Sequence, residues 1–333
     1  MASSNGRRIG ILVLIALAVA IGAASMSNGT APATATSSQR TGGDAPAQNQ
    51  GLWKDTYFPN ATVISHDGRA FRFYDDLIKN KIVVVNFIYS SCSNICPLVT
   101  ARLSQVKDVL GDHVGRDVFF YSITIDPVLD GPDVLKTYAD TYRAGPGWMF
   151  LTGAPHDIDL IRHKLGERSR SKAEHRNDVK IGNDRTGEWS RDSAFSDIEV
   201  LAETILRMDP EYRKARRNPG TLLQANTSYD LQSTPGAGLF AKACSGCHTL
   251  GHGDLVGPDL QGVTERRKPE WLRRFLMEPD KMRAEQDPLA VDLDSLYPGA
   301  RMPNLGLSNS DTEDLLVYLS AGSVFNHDPV ASD

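Results

Sequence analysis

Four cysteines, arranged as two close pairs, are the residues of this sequence whose spacing most clearly indicates chemistry. Cys92 and Cys96 enclose three residues in "CSNIC", and Cys244 and Cys247 enclose two in "CSGCH". Two neighbouring thiols can close a disulfide, exchange disulfides with a partner or hold a soft metal ion. Since no cysteine is left over, the pattern indicates two separate sites and not a disulfide framework.

The second pair is followed at once by His248, an order that is typical of covalent haem attachment. Two thiols add to the two vinyl groups of a haem, and the adjacent imidazole binds the iron on one face. A thioredoxin-like redox pair or half of a zinc site would be the alternatives. However, no second Cys/His pair follows at zinc spacing, and the segment does not follow a strand–helix pattern. We therefore predict a c-type haem at Cys244, Cys247 and His248.

A haem iron also needs a sixth ligand or an open face, and methionine is a frequent sixth ligand. Met302 lies in "YPGARMPNLGLS", an extended segment that Pro303 stiffens before the last predicted helix. Met277 belongs to an apolar helical stripe and is assigned to the core, whereas Met282 falls in a predicted charged loop. The sequence therefore favours Met302 as the axial ligand.

The first pair, Cys92 and Cys96, stands where a predicted buried strand, "KIVVVNFIY", passes into a predicted helix that starts near Pro97. A helix N-terminus favours the thiolate, so a lowered cysteine pKa is expected. Sulfurs one helical turn apart can close a disulfide or hold Cu(I), and copper would take an imidazole as a third ligand. A purely structural disulfide would close a small loop and constrain little. Copper binding is the first hypothesis, and thiol–disulfide exchange is the second.

We expect the imidazole for a copper site from His175. This residue lies in "KAEHRNDVKIGN", in a loop that leads into a late predicted strand, and ligands converge on such loops at a sheet edge. A surface position for His175 is the alternative. Four other histidines lie by the first predicted hairpin, in a polar loop or on one helix: His66, His113, His156 and His163.

The elements that must position these sites fall into two groups along the 333 residues, a length that favours two domains. Residues 53–208 alternate predicted strands and helices, which is typical of an α/β layer fold. Periodicity fades over residues 209–235, and this polar, turn-rich stretch is interpreted as a linker. Residues 236–322 form a small predicted all-α domain, and residues 323–333 form a tail.

The N-terminus, residues 1–26, has the pattern of an export signal. Arg7 and Arg8 precede an apolar run that is followed by small residues. The run is slightly short for a membrane span of about 20 residues, and an uncleaved anchor is the alternative. Residues 27–52 form a low-complexity tether. Both alternatives place the globular part in the periplasm, either soluble or held at the inner membrane.

The C-terminal domain, residues 236–322, resembles the small class I cytochromes c. The resemblance rests on the CSGCH site, on "GPDLQGV", on "RMPNLGL" and on the last predicted helix. It implies that His248 and Met302 ligate the iron and that Pro258 lies behind the proximal histidine. Such ligation favours electron transfer over oxygen chemistry.

Residues 53–207 resemble the Sco/SenC family of thioredoxin-like copper proteins. The matching segments are "FIYSSCSNICP", "YSITIDPVLDGPDVLKTYA" and "GWMFLTG". The resemblance implies a thioredoxin-like fold and a copper site formed by Cys92, Cys96 and a distal histidine, here His175. The family delivers copper to the binuclear copper centre of cytochrome c oxidase or reduces the cysteines of that centre.

Together these features predict an exported redox protein that carries copper and a c-type haem, with electron transfer through the haem. We expect a metallochaperone or electron-transfer protein more than an enzyme. Its expected partner is the copper-bearing subunit of cytochrome c oxidase or another exported redox protein, and the net charge of −5 gives no electrostatic case for nucleic acid. A thiol–disulfide oxidoreductase coupled to the cytochrome domain is the alternative. A peroxidase-like enzyme would need an open haem face or a lone peroxidatic cysteine, and Met302 and the paired thiols argue against both.

Overall fold

The computed structural model describes residues 57–216 and 234–324, except positions 94 and 177. The predicted N-terminal signal or anchor, the tether, residues 217–233 of the predicted linker and most of the tail lie outside the described residues. Among the helices that are described, none is both long and apolar enough to cross a membrane.

A mixed seven-stranded sheet forms the centre of the first domain. Its strands are β1 (Thr62–Ser65), β2 (Ala70–Arg72), β3 (Ile82–Ile88), β4 (Val118–Thr124), β5 (Trp148–Gly153), β6 (Asp178–Asn183) and β7 (Glu188–Ser193). They lie in the order β2-β1-β5-β4-β3-β6-β7. The central strands β5, β4 and β3 run parallel, and the outer strands pair antiparallel on both sides.

Five helices belong to this domain: α1 (Cys96–Leu110), α2 (Pro132–Thr141), α3 (Pro155–Lys164), α4 (Ile198–Leu206) and α5 (Pro210–Arg216). Strand β3 is buried over its whole length because elements pack on both faces of the sheet. Val84 and Ile88 point into a core shared with α1, α2 and α4. Val85 and Phe87 point into a second core, shared with α3 and the π-helical turn Phe73–Ile78. The predicted α/β domain with a thioredoxin-like layout is confirmed.

The first part of the predicted linker forms helix α5. This helix carries no apolar stripe, and its basic side chains pair with acidic residues of the sheet domain. Arg213 lies 2.8 Å from Glu188, and Arg216 lies 3.1 Å from Glu203. Ion pairs with residues distant in sequence leave no periodic signal in the sequence itself.

The second domain is all-helical, as predicted. Its helices are α6 (Pro235–Leu239), which continues into the π-helical turn Phe240–Cys244, α7 (Val263–Arg266), α8 (Pro269–Met277), α9 (Pro279–Ala284), α10 (Pro288–Leu296) and α11 (Asn309–Val324). Met282, expected in a charged loop, lies in α9 and is buried against Phe275. The expectation of a loop is wrong because Met282 is the inward-facing residue of a short helix. Its charged neighbours Lys281 and Arg283 flank this single inward position and hide the helical pattern.

Candidate functional site

The loop that carries the first cysteine pair is fixed by a buried carboxylate, Asp130. Strand β3 ends at Ile88, and the loop passes Ser90 before α1 begins at Cys96. Asp130 accepts hydrogen bonds from the backbone amide and the hydroxyl of Ser90, and from the hydroxyl of Thr124 at the end of β4. Because Asp130 is fully buried, these bonds tie the loop rigidly to the neighbouring strand.

Cys92 and Cys96 lie together as two buried thiols, and Cys96 is only 1% exposed. Two effects raise the pKa of Cys96 far above its ordinary value. The hydrogen bond with Cys92 is the larger effect, and burial is the second. The predicted lowering of a cysteine pKa is therefore wrong for Cys96. The backbone hydrogen bonds at the start of the helix favour the thiolate, but the neighbouring sulfur and the buried position outweigh them.

His175 is buried rather than on the surface, and Tyr89 contacts both its ring and Cys92. The hydroxyl of Tyr89 hydrogen-bonds to Cys92, and the ring of Tyr89 meets the imidazole edge-on at 6.2 Å between centroids. His175 Nε2 lies 2.9 Å from the carbonyl oxygen of Phe87. Its Nδ1 lies 3.3 Å from Glu167 Oε2 but makes no hydrogen bond among the described residues.

The structure thus brings Cys92 and Cys96 together without gathering His175 into the same ligand group. Across the described ranges, no three His, Cys, Asp or Glu side chains are arranged to hold one metal ion. Two adjacent thiols suit a soft monovalent ion such as Cu(I). The donor set therefore fits a two-sulfur copper site, and a third ligand from His175 would require the imidazole to leave the Phe87 carbonyl.

Glu167 is a charged residue beside His175 that the sequence analysis did not identify. It is fully buried, and burial opposes its ionisation. Hydrogen bonds from Ser169, together with the electrostatic effect of the nearby His175, nevertheless bring the pKa of Glu167 below its ordinary value. The charged carboxylate therefore lies beside the Nδ1 edge of the imidazole. Gly166, directly before Glu167, has a φ of +80° and lies just beyond the end of α3.

His248 is oriented by the segment that follows it in space. Its Nδ1 lies 2.8 Å from the carbonyl oxygen of Pro258, so Nδ1 donates and Nε2 keeps its lone pair for a metal. A Cβ at Gly257 would stand 2.6 Å from Cε1 of the imidazole, so this position must remain glycine for the ring to fit. Burial lowers the pKa of His248, which favours the neutral, ligating form.

A cavity of about 300 Å³ lies between His248 and Met302, and both thiols of the second pair line it. Burial raises the pKa of Cys244 and of Cys247 to about 12. Apolar side chains form most of the remaining wall, among them Phe240, Leu272, Phe275, Leu315 and Leu319. Two thiols, an imidazole and a thioether around an apolar cavity fit a covalently bound haem with histidine and methionine ligands. Among the described residues, Met277 and Met282 do not line this cavity.

The loop between His248 and Pro258 is organised by Asp259, a residue that sequence reasoning did not single out. Its carboxylate accepts hydrogen bonds from the amides of Gly251 at 2.9 Å and Gly253 at 2.7 Å. Although burial opposes ionisation, these amide bonds and that of Gln261 lower the pKa of Asp259. The charged carboxylate therefore keeps the Pro258 carbonyl in position behind His248.

Helix α1 joins the two sites, because its side packs on the segment that carries the second pair. Pro97 and Leu98 line the haem cavity. One and two turns further on, Arg102 donates to the carbonyl of Ala241 at 3.3 Å, and Gln105 donates to Ser245 Oγ at 3.1 Å. These positions are three to four residues apart and form one stripe of the helix. The helix that begins at Cys96 therefore forms part of the wall of the haem cavity.

Comparison with known proteins agrees with the division of the chain into an α/β domain and an all-helical domain. Residues 56–182 match the model of the SCO1/SenC family, and residues 233–323 match that of cytochrome c, which implies haem as a cofactor. The protein SenC of Rhodobacter capsulatus is 34% identical over 98 residues, 29% of this chain and 42% of that protein. The SCO2-like protein of Rickettsia felis is 30% identical over 103 residues, 31% of this chain and 48% of that protein. The chain thus spans about half the length of the curated relatives it matches.

Solved structures of the same family resemble the first domain. Yeast Sco1 with copper bound is 20% identical, with a TM-score of 0.38, and the match covers 49% of this chain and 96% of that one. A SCO1/SenC family lipoprotein from Bacillus anthracis is 22% identical, with a TM-score of 0.40, and the match covers 45% and 94%.

Proposed function

Since the chain joins a SCO1/SenC domain to a cytochrome c domain, we propose that it is a copper- and haem-binding redox protein that serves the copper centre of a cytochrome c oxidase. Cys92 and Cys96 would carry copper to that centre or reduce its cysteines. One observation carries the proposal: the helix that begins at Cys96 also lines the haem cavity with Pro97 and Leu98.

The two thiols of Cys92 and Cys96 would bind the copper ion as cargo. Thiols must lose their protons to ligate a metal, and the hydrogen bond between them and their burial favour the protonated form of Cys96. Copper loading therefore releases protons, and a partner that takes the ion away returns them. Tyr89 hydrogen-bonds to Cys92 and contacts the ring of His175.

Cys244 and Cys247 would hold the haem, with His248 and Met302 on its two faces. When bound, the haem supplies a one-electron redox couple. The Pro258 carbonyl fixes the imidazole, and the apolar wall excludes water from the cavity. The N-terminal composition supports an exported protein, periplasmic or held at the inner membrane, whose partner is the copper-bearing subunit of the oxidase.

A thiol–disulfide oxidoreductase coupled to the cytochrome domain is a second candidate function. It is favoured by the separation of His175 from the cysteine pair, because a redox dithiol needs no third ligand. Among the described residues, Cys92 and Cys96 provide the two sulfur donors of a copper site, but no imidazole is placed with them as a third ligand. The imidazole of His175 contacts the Phe87 carbonyl instead. Copper delivery and thiol exchange use the same two sulfurs and are chemically compatible.

Metal analysis separates the two candidates. The exported full-length protein is purified with and without reductant, and copper and haem are measured per chain. The copper function predicts one copper and one haem in the wild type and loss of copper alone in Cys92→Ser. A wild type that binds no copper, but whose pair cycles between dithiol and disulfide, would favour the oxidoreductase.

Electron exchange between the two sites is tested on the same protein. Copper-reduced, haem-oxidised protein is followed by stopped-flow absorbance at several protein concentrations. Transfer within one molecule gives haem reduction at a rate independent of concentration. A rate proportional to concentration would show that the two domains only act side by side.

A further inference from the structure

The haem cavity is completed by a residue of the thioredoxin-like domain, Tyr142. It directly follows α2, is 1% exposed and lines the cavity together with Cys247 and His248. Its ring packs against Tyr138 at 4.7 Å between centroids, and its carbonyl oxygen accepts a hydrogen bond from Ser104 Oγ at 3.0 Å. Tyr142 is therefore held by the packed core of one domain while it faces the cofactor cavity of the other.

The hydroxyl of Tyr142 is buried, and no described atom meets it at full hydrogen-bonding geometry. Its polar neighbour is the hydroxyl of Tyr138, whose interaction lowers the pKa of Tyr142 but does not offset the effect of burial. The neighbouring Tyr138 hydroxyl has another partner, Thr100 Oγ1 at 3.3 Å. Thr100 gives its own proton to the carbonyl of Cys96, so the proton of Tyr138 points to Thr100. A buried hydroxyl without a partner is costly, and such groups regularly mark a missing water or ligand.

The Tyr142 hydroxyl can act as a hydrogen-bond donor. Burial and the nearby Cys247 sulfur raise the pKa of Tyr142 well above its ordinary value, so the proton stays on the oxygen. A haem attached at the neighbouring cysteines presents two kinds of acceptor, the carboxylates at its edge and the thioether sulfurs.

We propose that Tyr142 donates a hydrogen bond to the bound haem, at a carboxylate of its edge or at the sulfur of Cys247. This inference rests on the haem-binding part of the proposed function and is independent of copper. Tyr142 is thus a cofactor-binding residue supplied across the domain interface. A donor at either acceptor withdraws electron density from the haem and favours its reduced state.

The test compares haem-loaded full-length Tyr142→Phe with Tyr121→Phe. Tyr121 is a matched control, because its hydroxyl is also buried and has no hydrogen-bond partner among the described residues. It lies in the core on the other face of the sheet. Covalent haem content is expected to be unchanged in both variants. In Tyr142→Phe, the ratio of reduced to oxidised haem at a fixed ambient potential should fall by about two- to tenfold. Tyr121→Phe should match the wild type.

Resonance Raman spectroscopy identifies the acceptor. A shift of the propionate bending band in Tyr142→Phe assigns the carboxylate, and a shift of the carbon–sulfur stretching band assigns Cys247. If the variant does not fold, wild type that carries 3-fluorotyrosine in place of tyrosine gives the assignment, since a more acidic tyrosine hydroxyl strengthens its hydrogen bond and shifts the affected band. Haem-loaded protein with unchanged potential and unchanged bands overturns this inference alone, whereas a wild type without covalent haem overturns the proposed function as well.

Discussion

Gly246, in the middle of the CSGCH segment, lies directly against Ala101 of helix α1. A Cβ added at Gly246 would stand 3.0 Å from the Cβ of Ala101 and 3.3 Å from its carbonyl carbon. Small residues at both positions let the haem-attachment turn approach the helix that begins at Cys96. This contact and the hydrogen bonds of Arg102 and Gln105 hold the second cysteine pair against the helix that begins at Cys96.

The first prediction follows from that contact. Gly246→Ala should lower the free energy of unfolding by about 1–3 kcal/mol, because the new methyl group overpacks the interface. Gly238→Ala is the matched control in the same domain, since a Cβ there meets no atom within 4 Å and lies in helix α6. It should be neutral or slightly stabilising, because alanine is the better helix former. Urea denaturation of both variants checks the difference, and equal effects would show that the interface does not constrain Gly246.

The second prediction concerns the axial ligand. Met302→Ala should keep the haem covalently attached through Cys244 and Cys247 but change the ligation of the iron. The weak near-infrared sulfur-to-iron band of the oxidised protein should vanish. Met277→Ala is the control, because Met277 is a half-buried residue of α8 outside the cavity wall. Persistence of the band in Met302→Ala would mean that another residue is the ligand.

The third prediction concerns the copper ligands. Cys92→Ser or Cys96→Ser should abolish stoichiometric copper binding, whereas His175→Ala should mainly weaken binding of Cu(II), because imidazole suits the divalent ion and thiolates suit the monovalent one. His156→Ala, an exposed histidine of α3, is the control for the loss of an imidazole. Titration with each ion checks this. Cu(II) affinity equal to that of the wild type would show that His175 keeps its bond to Phe87 in the loaded protein.

The fourth prediction is a pH dependence set by Glu167. The folded state lowers the pKa of this buried carboxyl, so its ionised form stabilises the fold above the unfolded value of about 4.3. That contribution is lost as the pH falls through the lower, folded pKa. Near neutral pH, Glu167→Gln should cost about 1.5–3 kcal/mol, as expected for hydrogen bonds to a charged group.

The measurement is urea denaturation of the wild type and of Glu167→Gln between pH 7 and pH 3. The difference in unfolding free energy should shrink as the pH falls below about 4.3. The exposed carboxylate of Glu270 provides the control variant Glu270→Gln, which should show no such trend. A difference that is constant over this range would mean that Glu167 does not ionise more readily in the folded state.

Several features of this protein were determined by the sequence alone. The run "KIVVVNFIY" predicted β3, because a strand covered on both faces carries a near-continuous run of apolar residues. Pro97 marked the start of α1. The CSGCH site was likewise readable, since the chemistry of haem attachment requires its two thiols and its imidazole close together in the chain, and the resemblance to cytochrome c implied the place of Pro258 behind His248.

Other features were decided only by the tertiary structure. The contact of His175 with the Phe87 carbonyl and the position of Tyr142 in the wall of the haem cavity depend on residues far apart in sequence. An apolar stripe shows that a face is covered but not what covers it. The stripe of α1 could therefore predict a helix, whereas its contact with Gly246 depends on how two complete domains pack against each other, and no local pattern encodes that packing.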